Sequence, residues 1–438
     1  MGYTDAVEDL RRQLAALPEG APVRLGKKTS NLFRHRAQTA HRLDVSAFSG
    51  VLSIGDGVAD VLGMTTYEEL VAATLPTGQM PLVVPQLKTI TLGGAVTGLG
   101  IESSSFRNGT PHESVLEMDV LTGAGEVVTC SRTENADLFY GFPNSYGTLG
   151  YTLRLRIELE RTSPFVHLRH VRCGSVAEAV TVMSAHDADF CDGTWFSPTE
   201  VYVTLGTWAA TAPRVSDYTG QAIYYRSIQQ HAEDWLTVHD YLWRWDTDWF
   251  WCSRAFGAQN PKMRKLIPRR YLRSDTWWKL VAFEQRHRWK TRWDRRRGRP
   301  DREEVVQDVE VPLDRLEEFM DVFAREIPIE PVWFCPLRQR SVDDVWELYR
   351  LDPQTLYVNV GFWSSIALEP GEDPTTHNRL IEDLVDELGG RKSLYSTSFY
   401  DVDRFWELYN GHTYDLLKKR YDPHSRLLDL YAKTVERS

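Results

Sequence analysis

Long apolar runs are absent from this 438-residue sequence, and no stretch of eighteen apolar residues occurs, so a membrane-spanning helix is not expected. The N-terminus, MGYTDAVEDLRRQLAAL, lacks the apolar core of a secretory signal. It reads as an amphipathic helix of mixed acids and bases, which points to a cytoplasmic location. Cysteine is scarce: Cys130, Cys173, Cys191, Cys252 and Cys335 are odd in number, scattered, and never arranged as CxxC or beside a histidine cluster. Neither a disulfide framework nor a metal site is expected from them, and buried, reduced thiols are the plain reading. Repeats and low-complexity tracts are missing, and a net charge of −10 gives no reason to expect a nucleic-acid partner.

What is present is an ordinary soluble composition, 42% hydrophobic and 26% charged, in a chain long enough for more than one core. Residues 44–62 read as a hairpin. TTYEELVAATLPTGQM reads as a helix opened by Thr65 or Thr66, with Glu68 and Glu69 in its first turn, closed before Pro76. SVLEMDVLTGAGEVVTCS gives two strands joined through Gly123 and Gly125, and GYTLRLRIELER alternates with the period of a strand. These make an α+β unit over residues 1–163. A second unit over 164–393 contains VVQDVEVPLDRLEEFMDVFAREI, a strand passing through Pro312 into an amphipathic helix, and the strands IEPVWFCPL and LYVNVGFWSS. Residues 394–438 are helical around a break at Asp422-Pro423.

Within the first unit lies TLGGAVTGLGIESSSFRNG, Thr91 to Gly109, five of whose residues are glycine. Any single glycine here serves a bulge or turn equally well. Together with the short Ser and Thr side chains they fit a strand-to-loop backbone closing around a polyanion, its N–H groups and hydroxyls meeting a pyrophosphate. It is not a Walker A loop, because no Gly-Lys-Ser/Thr follows. GLGIES lacks the third glycine of a dinucleotide fingerprint, and no helix is expected to open there.

PQLKTITLGGAVTGLGIESSSFRNG followed by LTGAGEVVTCSRTENADLFYGFPNSYGTLGYTLRLRIEL resembles the FAD-binding domain of the vanillyl-alcohol-oxidase superfamily. Within it the resemblance is to the Δ24-sterol reductases. It continues through VVQDVEVP (Val305 to Pro312), PVWFCP (Pro331 to Pro336) and LYSTSFYDVDRFWELYNG (Leu394 to Gly411). The same lineage includes bacterial reductases of 10-methylene fatty acyl chains. The resemblance implies a two-subdomain FAD-binding domain of the PCMH type, with an inserted α+β substrate (cap) domain and a C-terminal segment that returns to the flavin. The membrane anchor that precedes this domain in sterol reductases has no counterpart here, which favours the bacterial lipid branch.

The resemblance assigns Thr91, Gly93, Gly94, Gly98, Gly100, Glu102, Ser103, Ser104 and Ser105 to the pyrophosphate and ribityl path, and Gly147, Thr148 and Gly150 of YGTLG to the adenosine side. The family's second phosphate loop falls on RLGKKTSNLFR. There Lys27 and Lys28 supply charge and Thr29, Ser30 and Asn31 supply donors. Arg420, just before YDP, is a candidate cation for the flavin N1/O2 locus, and a solvated helix C-terminus explains it equally well. No histidine stands where relatives attach flavin covalently, so FAD is expected to dissociate. NADPH is the expected electron donor, with NADH not separated from it.

An isolated alkene gives a hydride nowhere to place negative charge. The expected order is therefore protonation to a tertiary carbocation, then hydride from flavin N5. That requires a positioned acid and aromatic faces to hold the cation. Asp308 inside an apolar strand is the first candidate, because desolvation keeps a carboxyl protonated. Tyr395, Tyr414 and, more weakly, His412 follow, and Gln307 is a candidate for the flavin edge.

Between Pro261 and Pro300 there are fifteen Lys/Arg against three Asp/Glu, and eight of fifteen tryptophans lie between Tyr241 and Pro300. Segment 241–300 reads as an interfacial contact for anionic membrane lipid, or else as a basic helix pair whose tryptophans fill a core. Three functions remain open. The first is an FAD-dependent reductase of an unactivated lipid alkene, most simply a 10-methylene acyl phospholipid supplied by a lipid methyltransferase, with a Δ24 sterol as alternative. The second is an oxidase or dehydrogenase of a sugar or alcohol. The third is a non-catalytic lipid-binding partner of the methyltransferase.

Overall fold

A computed structural model describes residues 2–27, 33, 39–287, 292–293 and 296–436. The fold is α+β and rests on two sheets. Helix α1 (Tyr3–Ala15) buries Ala6, Leu10 and Leu14 on one stripe. Strands β1 (Val23–Leu25) and β2 (His41–Leu43) pair in parallel and place Arg24 beside Arg42.

The first sheet has the order β3-β4-β8-β6-β7, built from β3 (Val51–Ile54), β4 (Val58–Leu62), β6 (Val115–Thr122), β7 (Val127–Ser131) and β8 (Gly150–Arg161). The short β5 (Gln79–Pro81) adds to β8. Helix α2 (Tyr67–Thr74) opens as expected: Thr66 accepts from Glu69 N–H while Glu69 reaches back to the Thr66 N–H. The glycine stretch departs from the expected loop. Leu92–Gly98 winds into a short helix, α3, capped by the Thr91 hydroxyl, which accepts from Gly94 N–H at 3.2 Å.

The second sheet has the order β12-β9-β11-β10-β14-β15-β13-β16. Its strands are β9 (Phe165–Cys173), β10 (Phe190–Ser197), β11 (Glu200–Ala209), β12 (Glu233–Thr237), β13 (Arg302–Pro312), β14 (Val332–Leu337), β15 (Tyr357–Ala367) and β16 (Arg391–Lys392). Period-two alternation divides β13 cleanly. Val305, Val309 and Val311 are fully buried with Phe319, Phe323, Ile381 and Val385, side chains of helices α5 (Leu316–Glu326) and α6 (Thr376–Glu387). The intervening residues face the other way, toward the first unit. Helix α4 (Ser274–His287) lies in the basic segment, and α7 (Gly411–Tyr421) in the C-terminal one.

The connection between β12 and β13 is where the tryptophan expectation changes. Trp243, Trp245, Trp249, Trp251 and Trp277 are buried in the core cluster that joins both units. The indole belt expected at a membrane interface is therefore core packing: Trp245, Trp249, Trp251 and Trp277 find aromatic neighbours inside the protein, and Trp243 packs under the Lys88 ammonium. Trp245 and Phe250, for example, stack at 4.9 Å. Trp289 and Arg295 lie outside the described residues.

At the centre, Arg244 is completely buried. Its guanidinium donates to Glu102 Oε1 and Asp192 Oδ2, both at 3.0 Å, and lies 4.0 Å from the Tyr241 ring centroid. Glu102 belongs to the loop after α3 and Asp192 to β10, so one cation ties the two units together. Arg244→Ala leaves two buried carboxyls without their counter-ion and is expected to cost about 3–5 kcal/mol of stability, measured by denaturant unfolding.

Candidate active site

A cavity of about 760 Å³ runs between the units, within the ~300–1,000 Å³ typical of cofactor and ligand sites. At one end the wall is basic: Arg24, Lys27, Arg42 and Lys433 line it together with Thr91, Gly94, Gly147 and Gly150. At the other end Asp308, Asn359, Ser393 and Tyr395 face Trp249, Phe250, Trp333 and Trp363.

The glycines act in two ways. A Cβ on Gly93 would lie 2.2 Å from Thr152 Oγ1, one on Gly98 2.9 Å from the Tyr146 ring, and one on Gly100 3.0 Å from Pro85. These three let protein pack on protein. At Gly94 the Cβ would meet only the Thr91 hydroxyl at 2.8 Å and the Lys27 ammonium at 3.7 Å. That leaves bare backbone beside a cation, which suits a phosphate. Buried polar atoms in the wall await partners: Thr39 Oγ1, Gln86 Nε2 and Asn359 Oδ1 have none among the described residues. Basic end, small-residue cradle and orphaned polar atoms together fit a long, partly anionic cofactor.

Of the expected cofactor residues, Lys27, Thr91, Gly93, Gly94, Gly98, Gly100, Gly147 and Gly150 line the cavity. Lys28, Thr29, Ser30 and Asn31 lie outside the described residues. The others are corrected by their neighbours. Glu102 turns inward to Arg244, and the Ser103 hydroxyl bonds Glu102 Oε1 at 2.5 Å and Tyr241 Oη at 2.7 Å. Ser104 donates to the Leu82 carbonyl and Ser105 accepts from Glu102 N–H, so these serines satisfy loop backbone. Thr148 donates to the Ser145 carbonyl within its own turn. Arg420 is exposed and pairs with Asp137 at 2.8 Å.

The catalytic candidates divide similarly. Asp308 and Tyr395 come together: Asn359 Nδ2 donates to Asp308 Oδ1 at 3.4 Å, and the Tyr395 hydroxyl, which accepts from Trp363 Nε1 at 2.8 Å, interacts with the same carboxyl. Gly361 stands opposite Asp308 across β15, where a Cβ would lie 2.4 Å from Asp308 Oδ1. Gln307 is corrected by strand alternation: as Asp308's neighbour it points to the helix face, where it donates to Asn378 Oδ1 at 2.7 Å. Tyr414 is packed in the C-terminal segment, stacked on Trp406 at 4.8 Å and accepting from Leu430 N–H at 3.0 Å. His412 is exposed.

Residues missed by the sequence reading complete the site. Trp249 and Phe250 both have positive φ, +48° and +59°, a costly arrangement for bulky residues that delivers two successive aromatic side chains to the cavity wall. Phe250 lies 4.4 Å from Trp363 and 5.2 Å from Trp333. Behind Asp308, Lys392 is fully buried and 3.3 Å from Glu382, while the Tyr349 hydroxyl donates to Glu310. One ammonium thus serves three buried carboxyls. Burial pushes Asp308 up to about 7, against opposing pulls from Asn359, Tyr395 and Lys392. Burial likewise raises Glu310 to about 8 and Glu382 to about 7, and it lowers the Lys392 ammonium. A carboxyl that titrates near neutral pH, and so is still partly protonated there, is the chemical asset of this end of the cavity.

Comparison with known proteins places an FAD binding domain over residues 5–131. The chain is 25% identical over 398 residues to the Δ24-sterol reductase of Homo sapiens, covering 84% of this chain and 72% of the relative. It is 23% identical over 444 residues to that of Arabidopsis thaliana, covering 90% and 76%. A 110-residue part is 39% identical to cytokinin dehydrogenase 2 of Arabidopsis thaliana, covering 25% of this chain and 22% of that one.

Gly94→Leu is expected to abolish retention of bound cofactor while leaving the fold intact, read as flavin absorbance per protein after gel filtration. Glu310 has a raised pKa in the folded state, so the stability it lends at low pH is lost as pH rises from about 4.5 through about 8. Glu310→Gln, which keeps an acceptor for Tyr349, should therefore gain stability relative to the parent between pH 5 and pH 8.5, measured by urea unfolding at both.

Proposed function

As an FAD-dependent oxidoreductase with a flavin domain of the vanillyl-alcohol-oxidase type, this chain is, we propose, a reductase that saturates an unactivated carbon–carbon double bond in a lipid. The carrying observation is Asp308, an acid raised to about 7 and set against an aromatic wall. Bound FAD supplies the hydride, received from NAD(P)H. The protein must supply the proton and a place for the positive charge. Asp308 gives its proton to the alkene, and Tyr395 and Asn359 hold the carboxyl in place. The faces of Trp333, Trp363 and Phe250 stabilise the tertiary cation and keep water from trapping it. An alcohol or sugar oxidase would need a base and a polar wall at this end, and the wall here is aromatic.

The substrate we favour is a 10-methylene acyl chain of an anionic phospholipid, reduced to the 10-methyl chain with NADPH as donor by a protein working peripherally on the membrane. Such a substrate requires a preceding reaction that adds a one-carbon unit to an unsaturated chain, which makes a lipid methyltransferase its supplier. The second reading is a Δ24 sterol, favoured by the named relatives. Either substrate gives a tertiary cation on protonation. Reducing the enzyme anaerobically with NADPH and then offering each lipid separates them: the true substrate restores the oxidised flavin spectrum. If only a polyol bleaches the oxidised flavin and neither lipid restores it, the reductase reading fails.

Asp308→Asn should leave flavin reduction by NADPH within about threefold of the parent. It should slow alkene-dependent reoxidation by about 10² to 10⁴, since only that half-reaction consumes a positioned proton. Stopped-flow traces of the two half-reactions measure this directly, and equal loss in both removes Asp308 from the role.

A further inference from the structure

The sequence between Phe256 and Trp293 turns apolar side chains outward. Among the described residues, seven of the thirteen exposed large hydrophobic side chains fall in that short interval, including Leu266 at 76% and Met263 at 54% exposure. Helix α4 is amphipathic in the wrong sense for a surface helix. Trp277 fills its inner side, while Leu280 and Phe283, one turn apart, are exposed between exposed Lys279 and Arg286. Scattered exposed apolar residues are normal, but a concentration of this kind marks a contact surface. Exposed Lys262, Lys265, Arg269 and Arg270 surround it.

We propose that this face docks on an anionic phospholipid surface, with Leu266, Leu280 and Phe283 entering the acyl boundary and Lys262, Lys265 and Arg286 meeting the headgroups. The charge selects the occupant. A second copy would bring the same basic excess, fifteen Lys/Arg against three Asp/Glu between Pro261 and Pro300, against itself.

Continuity with the cavity gives the docking a purpose. The Ser274 hydroxyl donates to Asp246 Oδ1 at 2.5 Å and Trp277 Nε1 donates to the Thr247 carbonyl at 2.9 Å. These two bonds seat α4 on the chain that, two residues later, sends Trp249 and Phe250 into the cavity wall. Lys88 N–H donates to the same Asp246 carboxylate at 3.0 Å, beside Leu87 and Thr89 of the wall. The outward face of α4 and the substrate end of the cavity are thus two sides of one layer, and a lipid held by the first lies next to the second. This surface deepens the lipid reading above and rests on it for its role.

The test is sedimentation of the FAD-loaded protein with vesicles, comparing phosphatidylglycerol mixed with phosphatidylcholine against phosphatidylcholine alone. Most protein should pellet with the anionic vesicles, at least fivefold less with the neutral ones, and it should be released by about 0.5 M salt through screening. Leu266→Glu/Phe283→Glu and, separately, Lys262→Glu/Lys265→Glu should each weaken pelleting about tenfold with flavin content unchanged. Parent protein that stays in solution with anionic vesicles, or variants that pellet like it, overturns the proposal. A solution mass that halves in Leu266→Glu/Phe283→Glu also overturns it and makes the face a self-contact. NADPH bleaching of the flavin without vesicles reads the enzymatic proposal independently: protein that pellets but is not bleached keeps the surface and loses the reductase.

Discussion

The Arg244 guanidinium, shut away from water between Glu102 and Asp192, is the constraint on which the site depends. A buried cation is tolerable only with its counter-charges in place, so the two units cannot separate without exposing or orphaning it. Burial pushes the Glu102 carboxyl up while Asp192 remains beside the guanidinium. Arg244 also begins the run Arg244–Trp251, whose turn carries Trp249 and Phe250 to the cavity. The clamp therefore fixes the aromatic wall as well as the join.

Across the cavity, the charge balance around Asp308 is deliberately short of cations. Lys392 is engaged with Glu382, and Glu310 relies on a tyrosine hydroxyl. With no second ammonium in contact among the described residues, burial raises both Asp308 and Glu310. That is opposite to the basic end, where arginines and lysines converge beside bare backbone. The lining of a single cavity thus combines basic side chains beside bare backbone with a carboxyl whose pKa burial raises to about 7.

Several features were open to reading along the chain because their physics is local. The Thr66–Glu69 capping box, the alternation of Gly150–Arg161, the strand-to-helix passage at Pro312 and the break at Asp422-Pro423 each depend on residues within one turn or one pleat. Asp308 was also legible, since an acid in an otherwise apolar strand is anomalous without any knowledge of its neighbours. Gln307 shows the limit. It looked equally placed, yet adjacent residues on a strand face opposite ways, and only the packing of α5 and α6 on one side decides which of the pair meets the cavity.

The sequence by itself determined that a glycine- and hydroxyl-rich stretch would meet something closely, that an acid lay inside a strand, and that a basic segment stood apart from the rest. Those are properties of composition and short-range order. Tertiary structure alone decided what the glycines meet: Gly93, Gly98 and Gly100 yield to Thr152, Tyr146 and Pro85, and Gly94 to the space beside Lys27. It turned Ser103 to Ser105 into loop braces, brought Lys433 from the far end of the chain to the basic wall, and drew five tryptophans of the basic segment into the core. Apart from the Ser105–Glu102 bond, each outcome depends on a partner well outside the local turn, and no local propensity encodes which distant side chain will arrive to satisfy a buried group.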